Sequence, residues 1–296
     1  MLLQRVHRTK KVGIPVLTCG LALHSVHVMK RDLHLKRRPA PPLRDALASP
    51  HRGAVEVAAL FGLYGIYQLI RGFGELDFEA AHRNTAAIVE LEQRFQIFVE
   101  RGVQDWALSV PGLAALLGVA YLALHLVLTP AVLVWVYRAH RAWFAVVRTT
   151  LVVSTALALV GYVLYPAAPP RLAGLGFADT VSERAHLDLS SDVLGSFYNP
   201  IAAVPSLHFG YALLVGGAVA WLARRRAIRL AGALYPAAML FIIVATGNHF
   251  LLDAVAGGAV VVAGWAAARV LIPSRREAVV HQYRARASQR LERLAA

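Results

Sequence analysis

Pro205-Ser206-Leu207-His208 and His249-Phe250-Leu251-Leu252-Asp253 each open a long apolar run, and 41 residues separate the two histidines. A helix needs about 20 residues to cross the hydrocarbon of a bilayer. Two crossings use about 40, so the spacing predicts that His249 returns to the membrane face that carries His208. The rest of the sequence is read from that expectation.

The 296-residue chain is 57% hydrophobic and 16% charged, with a mean hydropathy of +0.53. Soluble domains carry about a quarter charged residues. Closed barrels, the other spanning solution, use short alternating strands, and the apolar runs here are too long and continuous for that. The expected fold is all-α: a polytopic membrane helix bundle with six transmembrane helices and an interfacial amphipathic helix. The spans fall at about 53–71, 112–137, 144–165, 205–223, 228–247 and 250–272. The amphipathic stretch runs from Asn84 to Trp106, with Ile88, Leu91, Phe95 and Phe98 at helical spacing and Glu90, Glu92, Arg94 and Glu100 on other faces. Three regions follow: a basic N-terminal extension over 1–51, a membrane domain over 52–273 and a basic tail over 274–296.

A net charge of +14 invites a nucleic-acid reading. The basic residues instead border spans: eleven Lys or Arg from Arg5 to Arg52, then Arg138 and Arg141, then Arg224-Arg225-Arg226 and Arg229, then the tail. That is a topology signal, and no nucleic-acid partner is expected. It places both termini in the cytoplasm and the loops at 72–111, 166–204 and 247–249 outside. The protein is expected to be integral to the plasma membrane, with membrane lipids as its surroundings. Cys19 is the only cysteine, which excludes an intrachain disulfide and a thiolate metal site. The histidines of the extension have no metal-ligand spacing, and no metal is assigned.

Three segments meet outside on this topology. Tyr165-Pro166-Ala167-Ala168-Pro169-Pro170-Arg171 follows the third span, Val204-Pro205-Ser206-Leu207-His208 leads into the fourth, and Thr246-Gly247-Asn248-His249 leads into the last. His249 and Asp253 are four apart and share a face on a helix. The carboxylate can then fix the imidazole tautomer and leave the other ring nitrogen free to attack. Unpaired N–H groups at the start of the last span suit a phosphate; an Asn-capped helix with a surface His is the simpler alternative. Pro205 fits the first helical position, with Ser206 able to donate to a phosphoryl oxygen and His208 to act as general acid and base. Helix capping is the alternative for that segment. Arg171 suits bidentate phosphate recognition, or a role in topology. His125, with Tyr121 one turn before it, lies midway along the second span, where an ionisable group is a functional candidate. A neutral His bonded across helices explains it equally, so it stays outside the catalytic set. Gly161, Gly216-Gly217 and Gly257-Gly258 are read as sites of close helix packing.

Together, Y-P-x-A-P-P-R, P-S-L-H and T-G-N-H-x-x-x-D resemble the type-2 phosphatidic acid phosphatase superfamily over roughly residues 55–272. They are most similar to its inositol phosphorylceramide synthase branch, the aureobasidin-sensitive inositolphosphotransferases. The resemblance implies a six-helix membrane fold and a mechanism without metal or cofactor. It implies that His249 is the nucleophile forming a phosphohistidine, Asp253 its orienting partner and His208 the acid on the leaving oxygen, with Arg171, Ser206 and Asn248 around the phosphate. Phosphatases of this superfamily typically carry a Ser-Arg pair whose Arg lies six residues before the nucleophilic His, and here those positions are Ile242 and Ile243. Their Lys-x6-Arg-Pro element is also missing in that form, which leaves Arg171 as the nearest basic group. The lipid phosphotransferase branch shows a similar simplification. The expected partners are a lipid phosphoester donor and a lipid or water acceptor at the extracytoplasmic face. A lipid phosphate or polyprenyl diphosphate phosphatase is the rival within the superfamily. Outside it stand a non-catalytic anionic-lipid transporter and a structural membrane protein.

Overall fold

The computed structural model describes residues 58, 62, 65, 77–185 and 201–272, all within the compact unit Glu56–Ala296. The extension over 1–51, the tail over 274–296 and most of the expected first span at 53–71 lie outside the described residues. Among those described, the fold is helical, with one isolated parallel bridge between Ala167 and Ala202 as its only β pairing.

Seven helices organise the described chain: α1 Phe78–Arg94, α2 Glu100–Ser109, α3 Leu113–Ala139, α4 Arg141–Leu164, α5 Leu207–Leu222, α6 Arg226–Ala245 and α7 Leu251–Leu271. Helices α3, α4, α6 and α7 are long and apolar enough to cross a membrane, and α5 is a shorter apolar helix. At 1.5 Å per residue the 16 residues of α5 reach about 24 Å, short of a bilayer core of about 30 Å. Val127, Val163, Trp221, Val262 and Val270 point outward from these helices, as side chains facing lipid do. The protein is therefore read as integral to a membrane.

The amphipathic region differs from expectation. Asn84–Trp106 is two helices, because the chain turns after Arg94: Gln96 takes a left-handed φ of 58°, its N–H bonds to Gln93 O, and the Ile97 N–H bonds back to Glu92 O. Those paired bonds make a Schellman stop. The inward stripe of α1 is Ala81, Thr85, Ile88, Val89 and Glu92, while Leu91 and Phe95 are exposed. Glu92 and Glu100 are fully buried, not on a solvated face.

Close packing centres on three of the expected glycines. A Cβ on Gly216 would lie 2.6 Å from Gly232 O, and one on Gly232 2.8 Å from Gly216 O, so α5 and α6 touch backbone to backbone. A Cβ on Gly161 would lie 2.7 Å from Pro205 Cδ, and Gly257 faces the Ser206 carbonyl. Gly217 meets nothing within 4 Å, so close packing does not explain it. A buried apolar cluster of Tyr121, Ala212, Met239, Ile243 and Ala254 joins α3, α5, α6 and α7 beneath the connecting loops.

Candidate active site

The loops at one end of the bundle are tied to one another through backbone groups that no helix satisfies. Asn84 Nδ2 donates to Pro166 O (2.8 Å), and Thr85 Oγ1 donates to Ala168 O (3.0 Å) while accepting from Ala168 N (2.9 Å). Ala167 N donates to Ile201 O (2.9 Å) and its carbonyl accepts from Ala203 N (3.1 Å). Arg171 N donates to Gly247 O (3.0 Å), and Ser206 N to Asp253 O (2.9 Å). These bonds bring the three sequence segments into one knot between the starts of α5 and α7.

His249 is buried in that knot. Its Nδ1 faces Ala203 O at 3.1 Å and Asp253 Oδ2 at 3.3 Å. A backbone carbonyl only accepts, so Nδ1 carries the proton and Nε2 keeps its lone pair. The pairing with Asp253 does not arise along one helix face. Helix α7 begins at Leu251, Phe250 is its N-cap, and His249 lies before the helix. Asp253 bends back from the first turn, accepting from Phe250 N (2.9 Å) and from His249 at once.

His208 lies in the first turn of α5, its ring centroid 5.7 Å from that of His249. Ser206, not Pro205, opens this helix: it is the N-cap, its buried Oγ accepting from Phe209 N at 3.4 Å, and Pro205 lies one residue earlier behind a cis peptide bond. His208 also touches two rings of α3, Tyr121 at 4.1 Å and His125 at 4.2 Å between centroids. His125, set apart in the sequence, thus belongs to the histidine cluster. The depth of Tyr121 and His125 in an apolar run was their only sequence signal.

Arg171 sits in a short 3-10 turn, Pro170–Leu172. Its side chain is nearly buried, donating from Nε to Asn248 Oδ1 (2.9 Å) and pairing with Asp179 Oδ2 at 3.2 Å. Asn248 donates in turn to Thr246 Oγ1 (2.9 Å). The guanidinium therefore stands against the residue beside His249, with Asp179 offsetting part of its charge. Ile242 and Ile243 are buried core side chains, and Ile243 O accepts from both Asn248 N and His249 N.

One expectation is overturned. The first N–H groups of α7 are not open to a phosphate, because three carboxylates occupy them: Asp253 takes Phe250 N, Glu100 Oε1 takes Leu251 N (2.9 Å) and Glu92 Oε1 takes Leu252 N (2.7 Å). The positive helix end is filled by acidic groups of this chain. Burial pushes the Glu92 carboxyl up to about 8, against the lowering effect of Leu252 N–H, with a Glu100 hydrogen bond and the charges of Glu100 and Asp253 adding to the rise. Oε2 of Glu92 and Oε2 of Glu100 have no other partner among the described residues, so a proton on Glu92 satisfies both. Sequence periodicity missed this pair, although Glu92 lies one helical turn beyond Ile88 on the buried stripe.

A family model described as the PAP2 superfamily matches residues 86–267, more than half the chain and every residue named above from Ile88 to Asp253. No curated protein and no solved structure matches. The chain belongs to the PAP2 superfamily.

Proposed function

We propose, from that membership, that this membrane protein is a lipid phosphotransferase working through a phosphohistidine, in a six-span bundle whose site faces the extracytoplasmic side. The coarser reading, a membrane enzyme that is a lipid phosphatase or phosphotransferase, fits the superfamily and the apolar helices. The observation that carries the mechanism is the His208–Asp253–His249 geometry: a nucleophile whose tautomer is fixed, and a second imidazole within reach of the same phosphoester.

His249 Nε2 attacks phosphorus and forms the P–N bond as the P–O bond to the leaving alcohol breaks. His208, entering as imidazolium, gives its proton to the departing oxygen. The phosphorylated ring keeps its Nδ1 proton and becomes positive, and the Asp253 carboxylate beside it balances that charge. An acceptor hydroxyl then gives its proton to neutral His208, its oxygen bonds to phosphorus, and the P–N bond breaks. Arg171, Asn248 and the Ser206 hydroxyl, which keeps a proton to donate while capping α5, hold the non-reacting oxygens.

A lipid hydroxyl as acceptor gives transfer and water gives hydrolysis. The replacement of a Ser-Arg pair by Ile242-Ile243 favours transfer of the inositolphosphotransferase type. The N-terminal N–H groups of α7, taken by carboxylates, add no anion-binding capacity. The reaction is proposed to run without a metal ion.

The test is to incubate purified protein with a panel of labelled lipid phosphoesters, with a hydroxyl lipid present, and to separate free phosphate from new phospholipid. New lipid product that persists in EDTA and disappears in His249→Ala is expected. Free phosphate alone would replace the transferase by a phosphatase, and turnover retained in His249→Ala would remove the mechanism.

A further inference from the structure

His208 is proposed above to alternate between imidazolium and imidazole, yet no hydrogen bond from a described residue orients its ring. What the ring does have is aromatic neighbours. Tyr121 stacks on it at 4.1 Å with the planes 20° apart, and His125 lies at 4.2 Å, tilted 37°. The two are one turn apart on α3 and face α5 together. Tyr211, the next turn of α5, stacks on His125 at 5.4 Å with planes 3° apart and is itself bonded to Thr155 of α4.

Two further observations set these rings apart from ordinary packing. His125 lies in a π-helical segment, Leu124–Leu128, that interrupts α3 at this point; such bulges change which side chains face inward and recur at functional sites. Its Nδ1 is also buried without a hydrogen-bond partner among the described residues. A leucine would fill the same space without an unsatisfied nitrogen, so the site holds an imidazole at a cost to stability.

We propose that Tyr121 and His125 form an aromatic clamp that fixes the His208 ring toward His249 and stabilises its imidazolium form through their π faces. They are positioning residues that act through His208. A cation over a desolvated aromatic face gains about tenfold or more in population, and the clamp also removes the rotamer freedom that a ring without hydrogen bonds would keep. The inference rests on the phosphohistidine reading.

The test uses the leaving group. Protonation by His208 matters for an alkyl lipid ester and little for an activated nitrophenyl phosphoester, whose phenolate departs without an acid. In the purified full-length protein, Tyr121→Leu and His125→Leu are expected to lower kcat about tenfold or more on the alkyl ester and by less than about twofold on the nitrophenyl ester. Tyr121→Phe and His125→Phe retain the π face and should hold both rates within about threefold of wild type. If the leucine variants do not run as monodisperse protein in detergent, Tyr121→Met and His125→Met, which fill space flexibly, carry the same expectation. Parallel loss on both esters, or no loss on either, overturns the clamp while leaving His249 chemistry intact. Wild-type turnover that survives both His208→Ala and His249→Ala overturns the phosphohistidine reading, and the clamp with it.

Discussion

Gly257→Ala is the sharpest mechanical test of how the two histidines are brought together. Gly257 lies in α7 one turn beyond Asp253, and its α-carbon faces the backbone of Ser206. A Cβ there would overlap the Ser206 carbonyl oxygen and stand 3.0 Å from its carbon and 3.3 Å from its nitrogen. The obstacle is backbone, so no rotamer change relieves it, and the start of α5 must move off α7 by about 1 Å to reach ordinary contact. That motion pulls on the Ser206 N to Asp253 O bond of 2.9 Å and carries His208 away from His249. Overpacking of this kind costs about 1–3 kcal/mol, and a misplacement of about 1 Å lowers turnover about 100-fold. Gly258→Ala is the matched control, because its nearest neighbour is Phe209 Cε1 at 3.5 Å, an ordinary contact. Both substitutions gain about 1 kcal/mol of helix propensity, so their difference isolates the steric term. Thermal unfolding in detergent and kcat on a labelled lipid phosphoester are the readouts. Gly258→Ala is expected near wild type, with Gly257→Ala less stable and about 100-fold slower. Equal behaviour of the pair would refute the idea that this backbone contact sets the site.

Glu92, raised by burial to about 8, is protonated in the folded protein where it would ionise in the unfolded chain. Its contribution to stability is therefore complete below about pH 4.5 and is lost as pH rises toward 8. The wild type should lose up to about 1.4 kcal/mol per pH unit over that window, and Glu92→Gln, which keeps an oxygen for Leu252 N, should flatten the slope in pH-dependent melts. An unchanged slope would remove the shared-proton assignment. Asp253→Asn can still accept from Phe250 N and His249 but loses its charge, so kcat should fall about 10–100-fold with little change in melting temperature. Arg171→Lys cannot span Asn248 and Asp179 as the guanidinium does; kcat/KM is expected to fall about tenfold or more, chiefly through KM in steady-state assays.

The legible part of the fold was periodicity and length. Four of the expected spans correspond to the long apolar helices α3, α4, α6 and α7, because a run of apolar residues in lipid has little choice but to be helical. The return of His249 toward His208 was expected from room for two crossings between them; of the two helices there, α6 is long and apolar enough to cross and α5 is shorter. What stayed hidden depended on partners far along the chain. Glu92 and Glu100 resemble the polar side of an amphipathic helix, and only contact with Leu252 and Leu251, 160 and 151 residues away, turns them into helix caps. The same contact closed the anion site expected at the start of α7. Gln96 gave no sign of a helix stop, since a left-handed residue is usually glycine or asparagine. His125 was visible as a buried ionisable group, but not which ring it would meet, because helix rotation in the bundle is set by packing.

The central claim is that His249 becomes phosphorylated during turnover. Purified protein mixed with a radiophosphate-labelled lipid phosphoester and quenched in alkali within one turnover tests it directly. Label on the protein is expected to be stable to alkali, labile to acid, discharged by added acceptor lipid, mapped to His249 and absent from His249→Ala. Product formed without a labelled protein intermediate, or label on any other residue, would contradict it.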